Sequence, residues 1–514
     1  MARRAAQARN WATVHSCASE ILRRNRDDPE GHFLAGLVQR AAQRPLEAAN
    51  CFARALELDP GRYDAAIELA SRYSIADRQA EAFELLERYQ AQLGNSPRYL
   101  DMAGITYTTL GLHERAWPLH LKACALQPGV PVFEANLAAC AVTVGRTEQA
   151  IAIYRSLLER SPTHQRHHYE LSRLVRARDE VHLAQMQAVL RATNLPPDRN
   201  IFLHYAIGKE LEDLERWAEA FHHYRLAGDA AAAAAGYDVV ADLALIDRII
   251  EVCSRGWLQA GPEPAPGAPA RSTPIFIVGL PRSGTTLVER ILASHSRIGS
   301  IGETQQLEST LRRRSGVAGA TGVTPAVIEA ASRLDPGSIA ESYLQAVAYR
   351  LGAKPMFIEK YPENFLYLGF ISRSWPQARL VHVRRLPMDA CFAMYKQSYF
   401  RYAYRLEDLG RYYVAHDRLL RHWHANLGDR LVEVEYEALV ADPEAQTRAL
   451  LARLRVEFEP ACLEPDRNPT AVATASSAQV REKIHARSVG RWRYFREQLE
   501  PLRRTLEAAG IATA

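Results

Sequence analysis

The 514-residue sequence predicts a chain of two parts, an all-α array of helical repeats followed by an α/β domain built on a parallel sheet. Three observations predict this organisation. Similar residues recur every 34 positions over about residues 29–164. A stretch rich in proline and glycine follows at residues 259–272, and an apolar run that ends in a glycine-bounded loop comes next. The length alone is too great for one hydrophobic core, so at least two domains are expected.

The composition narrows the class of protein. Hydrophobic residues make up 47% of the chain and charged residues 24%, which is typical of a folded globular protein. No run of 18 apolar residues occurs, and no apolar segment follows the N-terminal arginines. We therefore expect neither a membrane-spanning helix nor a secretory signal. The net charge of +5 is small for this length and gives no indication of nucleic-acid binding.

The seven cysteines are scattered along the chain and include no Cys-x-x-Cys pair. This pattern argues against a disulfide framework and against a structural zinc site. It is typical of proteins in a reducing compartment, so we expect a cytoplasmic protein that uses no metal.

The repeat array is defined by residues that return at the same place in each period. The period is 34 residues from Pro60 to Gly94, and the same interval leads on to Pro128 and Pro162. Small residues recur inside the periods at Gly36, Ala70, Gly104 and Ala138, and alanines recur at Ala48, Ala82, Ala116 and Ala150. This resembles the tetratricopeptide repeat, in which small residues let two paired helices approach closely. Six units are expected over residues 29–234, with a degenerate fifth unit at about 165–198 and a sixth at 201–234.

The sequence leaves the role of the array open. Stacked helical hairpins form a curved surface that can bind a protein or a peptide. The same surface can serve as a scaffold or join two copies of the chain in a homodimer. Neither interpretation makes this half of the chain catalytic. With its flanking helices, the array is predicted to fill residues 1–258, ahead of the linker at 259–272.

The second domain, predicted at residues 273–514, begins with a motif for anion binding. Residues 274–279 form an apolar run of the buried parallel-strand type, and an amphipathic helix is predicted over about 285–295. The loop between them matches G-x-x-x-x-G-K-[ST], except that Thr285 replaces the lysine. A strand, a loop and a helix N-terminus in this order present N–H groups to a phosphate. Loss of the lysine disfavours ATP and GTP, whose β and γ phosphates need it.

Residues 281–287, which read PRSGTTL, resemble the 5′-phosphosulfate loop of the tyrosylprotein sulfotransferases and their bacterial relatives. The resemblance extends over about residues 274–494. With the repeats, it suggests the bacterial class in which tetratricopeptide units precede a P-loop-like sulfotransferase domain. It implies a three-layer α/β fold and direct in-line transfer of a sulfuryl group from PAPS to an acceptor hydroxyl, without a metal. It also implies that the phosphosulfate is held by Arg282, Ser283, Gly284, Thr285 and Thr286.

The resemblance assigns three catalytic residues. Glu303 stands at the family's catalytic glutamate, where a carboxylate takes the proton of the attacking hydroxyl, although Gly302 replaces the acidic residue that precedes it in the family. Lys360 ends a second apolar run and stands at the lysine that stabilises charge on the leaving phosphate oxygen. Ser476 stands at a second group that donates to the transition state.

An arginine after the third apolar run is matched to the 3′-phosphate of the donor. Arg385 is that residue, and a guanidinium can bind phosphate through two hydrogen bonds. The chain departs from the family nearby. Ala393 stands where a serine is expected, and Gln397 stands where a further arginine is expected. The contact with the 3′-phosphate must therefore be weaker or be supplied by other groups.

Four later residues are also predicted to bind the donor. Tyr436 ends a further apolar run and corresponds to a tyrosine that contacts the nucleotide. Arg491 stands at a lysine that binds the nucleotide, in a cationic C-terminal loop that also carries Arg481 and Lys483.

Two other functions stay open at this point. A P-loop kinase is opposed by the missing lysine and by the lack of an obvious aspartate for magnesium. A non-catalytic adaptor with a decayed transferase domain is opposed by Glu303 and Lys360. The likeness to tyrosylprotein enzymes favours a protein or peptide tyrosine as the acceptor, yet the same loop motifs serve sugar and small-molecule acceptors.

Overall fold

The computed structural model describes residues 1–193, 196–260, 273–474, 477 and 479–513. The chain divides into two compact units. The first comprises Met1–Val144 and Leu344–Arg350, and the second comprises Gly145–Tyr343 and Leu351–Ala514. The predicted linker at 259–272 lies outside the described residues from position 261 onward, so the predicted domain limits stay predictions.

The first unit is built from helical hairpins. Its helices are α1 (Ala2–Gln7), α2 (Trp11–Arg24), α3 (Pro29–Ala41), α4 (Pro45–Leu58), α5 (Tyr63–Ser74), α6 (Gln79–Tyr89), α7 (Pro97–Thr109), α8 (His113–Leu126) and α9 (Pro131–Thr143). The first helices of successive repeats begin at residues 29, 63, 97 and 131, which confirms the 34-residue period.

Small residues bring the two helices of a hairpin together, as the repeat pattern predicts. A Cβ atom added at Gly36 of α3 would lie 2.5 Å from the ring of Phe52 in α4. At Gly104 of α7 the added atom would lie 2.7 Å from the ring of His120 in α8. Because a side chain at either position would push the helices apart, glycine allows this close packing.

The second unit begins with further helices of the same kind. They are α10 (Thr147–Arg160), α11 (Gln165–Leu174), α12 (Val181–Thr193), α13 (Ile201–Asp213), α14 (Trp217–Ala235), α15 (Val239–Val252) and α16 (Arg255–Gln259). Helices α11 and α12 correspond to the predicted fifth repeat, and α13 and α14 to the sixth. Gly208 of α13 packs against Tyr224 of α14, where an added Cβ would lie 2.8 Å from the ring.

The remainder of the second unit carries the predicted parallel sheet. The strands in the described part of the chain are β1 (Thr273–Val278), β2 (Ile298–Ser300), β3 (Met356–Glu359), β4 (Arg379–Arg384) and β5 (Leu431–Glu435). They lie in the order β2-β3-β1-β4-β5, and all of these neighbours pair in parallel. This arrangement confirms the α/β fold class.

Helices cover the sheet. They are α17 (Thr285–Ala293), α18 (Gln306–Ser315), α19 (Pro325–Ala331), α20 (Pro336–Val347), α21 (Leu368–Ser374), α22 (Pro387–Tyr395), α23 (Leu406–Leu427), α24 (Tyr436–Ala441), α25 (Pro443–Arg453) and α26 (Glu500–Ala508). Across the residues that the structure describes, no helix has both the length and the apolar character that crossing a bilayer would require.

Alternate side chains of β1 enter two cores, one on each face of the sheet. Ile275 and Ile277 join a buried cluster with Val288 of α17. Phe276 points to the opposite face, where its ring centroid lies 5.5 Å from that of Trp375. A parallel strand that is buried on both faces explains the continuous apolar run in the sequence. The predicted three-layer arrangement is therefore confirmed.

Candidate active site

The predicted site residues follow the carboxyl ends of the strands. Lys360 comes directly after β3, Arg385 after β4 and Tyr436 after β5, while the loop that contains Arg282 follows β1 and Glu303 follows β2. The strand order therefore sets the order of these residues along one edge of the sheet. Open parallel sheets bind their ligands at this edge.

Arg282 and Gly284 of the loop after β1 have positive φ angles, which residues with a side chain rarely adopt. Gly284 has φ 105°, and it is the N-cap residue of α17. A Cβ atom at this position would also lie 2.4 Å from Cδ2 of Tyr436. Arg282 has φ 66°, a left-handed conformation that is uncommon for a residue with a side chain. Such backbone strain is often found where a loop holds a ligand.

Ser283 and Arg385 each have a buried polar atom without a hydrogen-bond partner in the described part of the chain. One is Oγ of Ser283, a residue that is 1% exposed, and the other is Nε of Arg385. The two NH2 groups of Arg385 donate to the backbone oxygens of Arg282 at 2.8 Å and of Ser488 at 2.7 Å. Buried polar atoms without partners cost free energy. A ligand that carries acceptor oxygens would satisfy both of them.

Positive charge is concentrated at this loop. Burial, together with the nearby guanidinium groups of Arg385 and Arg173, lowers the pKa of Arg282 to about 10. Arg282 also donates to Oε1 of Gln479 at 2.7 Å. Neighbouring arginines that repel one another form a favourable site for an anion, which would remove the repulsion.

The cationic C-terminal loop is tied to the domain by polar contacts. The Tyr436 hydroxyl lies 2.9 Å from Oγ of Ser488, and the backbone N–H of Gly490 donates to Asp389 of α22 at 2.6 Å. The guanidinium of Arg385 lies 5.0 Å from the ring centroid of Tyr436. These contacts place the loop beside Arg385, the residue that is predicted to bind the 3′-phosphate.

Two predicted site residues near this loop are not among those that the structure places at the neighbouring cleft. The guanidinium of Arg481 packs against Gly145, where an added Cβ would lie 2.5 Å from Cζ, and it donates to the Thr470 oxygen at 3.5 Å. Arg481 does not line the neighbouring cleft. Ser476 lies outside the described residues.

Glu303 and Lys360 form an ion pair at the ends of β2 and β3. Lys360 is fully buried, and a second carboxylate oxygen, Oε2 of Glu289, lies 3.6 Å from its ammonium nitrogen. The side chain of Glu303 is 34% exposed. The backbone N–H of Lys360 donates to the oxygen of Gly302 at 3.0 Å, which ties the two strand ends together. The pair can therefore offer a reachable proton acceptor beside a buried cation.

Glu359, the residue before Lys360, was not identified from the sequence. It is fully buried, and its Oε1 accepts a hydrogen bond of 2.5 Å from the Thr304 hydroxyl. Burial raises the pKa of Glu359 to about 8, although the hydrogen bond from Thr304 opposes the shift. The side chain therefore titrates near physiological pH next to the Glu303–Lys360 pair.

A cleft of about 410 Å³ lies beside the loop after β1. The predicted site residues that line it are Arg282, Gly284, Thr286, Arg385, Tyr436, Lys483 and Arg491. Ser283 and Thr285 are buried and do not line it. Glu303 and Lys360 do not line it either. The structure thus places most of the predicted donor ligands around one cleft and the predicted catalytic pair outside it.

The last repeat helices form part of the wall of this cleft, which the sequence analysis missed. The lining residues from this region are Tyr169, Ser172, Arg173, Arg176, Tyr205, Lys209, Glu212, Asp213 and Tyr224. No site residue was predicted from the sequence in this region.

Glu212 of α13 connects the repeat helices to the cations of the cleft. Its carboxylate accepts from Lys396 at 2.8 and 2.9 Å, from Arg491 at 3.0 Å and from the Tyr224 hydroxyl at 2.8 Å. Burial opposes ionisation of this carboxyl, but Lys396 and Arg491 lower the pKa of Glu212. Burial also lowers the pKa of Lys396, against the effect of Glu212. One buried carboxylate thus holds two cations at the edge of the cleft.

Comparison with known proteins finds similarities to the α/β domain. Residues 274–460 match the model of a family described as the sulfotransferase family. An uncharacterized protein of Aquifex aeolicus (strain VF5) is 28% identical over 371 residues, which are 70% of this chain and 48% of that protein, so the chain spans about half of its length.

Two further similarities concern the same domain. A Caenorhabditis briggsae protein, described as a candidate protein-tyrosine sulfotransferase, is 24% identical over 233 residues, which are 42% of this chain and 80% of that protein. Among solved structures, the sulfotransferase domain from the Synechococcus PCC 7002 olefin synthase aligns with 47% of this chain and 98% of its own length, at 22% identity and a TM-score of 0.34.

Proposed function

We propose that this chain, in which a tetratricopeptide-repeat array precedes a domain of the sulfotransferase family, transfers a sulfuryl group from PAPS to an acceptor hydroxyl. The observation that carries the proposal is the ion pair between Glu303 and Lys360, which lies at the ends of neighbouring strands. The adjacent loop holds buried groups that are suited to an anion. A base, a cation and an anion site are the parts that this transfer needs.

The residues around the loop fit a donor that carries phosphate groups on both the 5′ and the 3′ oxygen of an adenosine ribose. Ser283 Oγ and Arg385 Nε are buried donors without partners in the described part of the chain, and phosphate oxygens would satisfy them. In our proposal, Arg282, Ser283 and Thr286 hold the 5′ phosphosulfate. Arg385 holds the 3′-phosphate through paired N–H groups.

In our proposal, the repeat helices supply cationic groups in place of the family residues that this chain lacks. Ala393 and Gln397 cannot replace the expected serine and arginine, and both line the cleft. Arg173 of α11 lines the same cleft and lies near enough to Arg282 to affect its pKa. We propose that Arg173, together with Lys396, completes the binding of the donor's 3′ side.

The chemistry proposed for this site requires one proton transfer and one group transfer. PAPS supplies the sulfuryl group, whose bond to the donor phosphate is replaced by a bond to the acceptor oxygen. Glu303 takes the proton that the acceptor hydroxyl loses, and its partial exposure makes it reachable. Lys360 keeps an ammonium group beside the leaving phosphate oxygen of the donor, which gains negative charge. The burial of Lys360 strengthens the attraction between the two groups.

The acceptor in this proposal is a tyrosine hydroxyl of a protein or peptide. The Caenorhabditis briggsae relative, whose description names protein-tyrosine sulfotransfer, supports this choice. Sugar and small-molecule hydroxyls are the alternatives. Mass spectrometry of the products from a mixed acceptor screen separates them, because each acceptor gains the mass of one sulfuryl group at an identifiable atom.

Binding measurements on the full-length chain test the donor assignment. We expect PAP to bind much more tightly than ATP, since the loop lacks the lysine that ATP requires. Arg385→Ala should weaken PAP binding, while Arg448→Ala, which changes an exposed arginine paired with Glu444, should not. A preference for ATP would indicate a kinase. Tight binding of PAP without transfer of labelled sulfate to any acceptor would indicate an adaptor.

A further inference from the structure

Three side chains that could bind a metal meet on the α/β domain, away from the cleft. His382 lies in β4 directly opposite Glu433 of β5, and His424 lies in the last turn of α23. Nε2 of His424 is 3.4 Å from Nδ1 of His382 and 3.2 Å from Oε2 of Glu433. Nδ1 of His382 is 3.6 Å from the same oxygen. None of the three residues lines the cleft.

Two of these three separations are long for a hydrogen bond. Good N–H···O bonds have heavy-atom distances of about 2.7–3.2 Å. The His424–Glu433 contact of 3.2 Å falls within that range, whereas the other two separations, 3.4 and 3.6 Å, exceed it. Other histidine–carboxylate pairs in this chain are closer, with His120 at 2.8 Å from Asp101 and His182 at 2.5 Å from Glu210. A good hydrogen bond therefore accounts for one of the three contacts.

The same separations fit ligands that share one metal ion. Zinc is bound by imidazole nitrogen and carboxylate oxygen at about 2.0–2.2 Å, in a tetrahedron. The edge of such a tetrahedron, which is the distance between two ligand atoms, is about 3.3–3.6 Å for these bond lengths. The observed distances of 3.2, 3.4 and 3.6 Å cover this range.

Arg384 contacts the carboxylate oxygen of Glu433 that the histidines do not contact. Nε of Arg384 lies 3.4 Å from the other oxygen of Glu433, Oε1, so Oε2 remains directed at the histidines.

We propose that His382, His424 and Glu433 bind one divalent transition metal of the zinc type. Two imidazoles and one carboxylate occupy three positions. The side chains of His424 and Glu433 are each 35% exposed, so water can reach the fourth position. The bound ion ties α23 to β4 and β5, which is a structural role separate from sulfuryl transfer. No local motif reveals the site, because the two histidines are 42 residues apart.

Metal titration of the full-length protein, prepared without a histidine tag and stripped with a chelator, tests this proposal. We expect a single equivalent of Zn²⁺ to bind and to raise the melting temperature. Co²⁺ in its place should give the visible absorption of a tetrahedral site. His424→Ala and Glu433→Gln should each lower the Zn²⁺ affinity by at least tenfold. Glu435→Gln is the matched control, because Glu435 lies two residues further along β5 and pairs with Arg384.

Two results would overturn the proposal. One is a stripped wild-type protein that takes up no Zn²⁺ or gains no thermal stability from it. The other is uptake that is equal in Glu433→Gln and Glu435→Gln, which would mean that the ion binds elsewhere on the surface. Both variants keep the size of the side chain, so a loss confined to Glu433→Gln reports on the ligand and not on folding.

Discussion

Lys396 of the α/β domain donates hydrogen bonds to both carboxylate oxygens of Glu212, a residue of the sixth repeat hairpin. Arg491 of the C-terminal loop contacts the same carboxylate at 2.9 Å. The last repeat helices therefore supply the negative charge that balances two cations at the edge of the cleft.

The first prediction concerns the stability that this contact provides. Glu212→Gln keeps the size of the side chain but leaves two cations without their counter-charge. Loss of one partner from a buried ion pair costs about 3–5 kcal/mol. We expect a cost near 3 kcal/mol, because the side chain of Arg491 is 34% exposed. Urea unfolding of the full-length chain measures this loss of stability.

The control for Glu212→Gln is Glu219→Gln on α14. Glu219 is exposed and pairs with Arg216 one turn away, so its loss should cost less than about 1 kcal/mol. Equal destabilisation by the two variants would mean that the buried contact has no special role.

The second prediction concerns the contribution of the repeats to donor binding. Arg173→Ala removes a cation of the cleft wall. A hydrogen bond to a charged group contributes about 1.5–3 kcal/mol, so PAP should bind about 10- to 100-fold more weakly. Calorimetric titration measures the affinity. Arg166→Ala, on the same helix but outside the cleft, should leave it unchanged. Unaltered affinity in Arg173→Ala would exclude this residue from donor binding.

The third prediction concerns the loop after β1. Gly284→Ala places a Cβ atom 2.4 Å from Tyr436 at a residue with φ 105°. The left-handed conformation alone costs about 1–2 kcal/mol for a residue with a side chain. The loop must therefore shift, and PAP binding should fall at least tenfold. Gly256→Ala is the control, since nothing lies within 4 Å of its added atom. Normal PAP binding by Gly284→Ala would show that the loop does not need this backbone.

The fourth prediction concerns pH and Glu359. Its pKa is raised to about 8 in the folded protein from 4.5, so the folded state holds the proton more tightly than the unfolded state does. This contribution to stability is complete below about pH 4.5 and is lost as the pH rises to about 8. Within that window the free energy of unfolding falls by up to about 1.4 kcal/mol per pH unit.

Glu359→Gln tests this dependence because glutamine stays neutral and can still accept from Thr304. Relative to the wild type, the variant should gain stability steadily between about pH 4.5 and pH 8. Thermal melting of both proteins across this range provides the comparison. A stability difference that is constant with pH would contradict the raised pKa.

The sequence predicted the parts of the fold that depend on local pattern. The 34-residue period predicted hairpins that begin at residues 29, 63, 97 and 131, because each hairpin needs the same small residues at the same places. The apolar run before Gly279 predicted a strand buried on both faces. Both signals lie within a few dozen residues of chain, and both are confirmed.

The parts that the sequence missed depend on contacts between distant segments. Glu212 looks like any glutamate of a repeat helix, and only the packed structure places it against Lys396 and Arg491. Arg481 belongs to a cationic segment, but the direction of its side chain depends on Gly145 and Thr470. Glu359 carried a usable signal, since a charged residue that ends a buried strand must find an internal partner.

The rate of labelled sulfate transfer from PAPS by Glu303→Gln tests the central claim most directly. General bases of this kind contribute about 10²- to 10⁴-fold, so the rate should fall by that factor while PAP binding remains at the wild-type level. Glu444→Gln, a change at an exposed glutamate paired with Arg448, should have the wild-type rate. A Glu303→Gln variant that transfers sulfate as fast as the wild type would contradict the account.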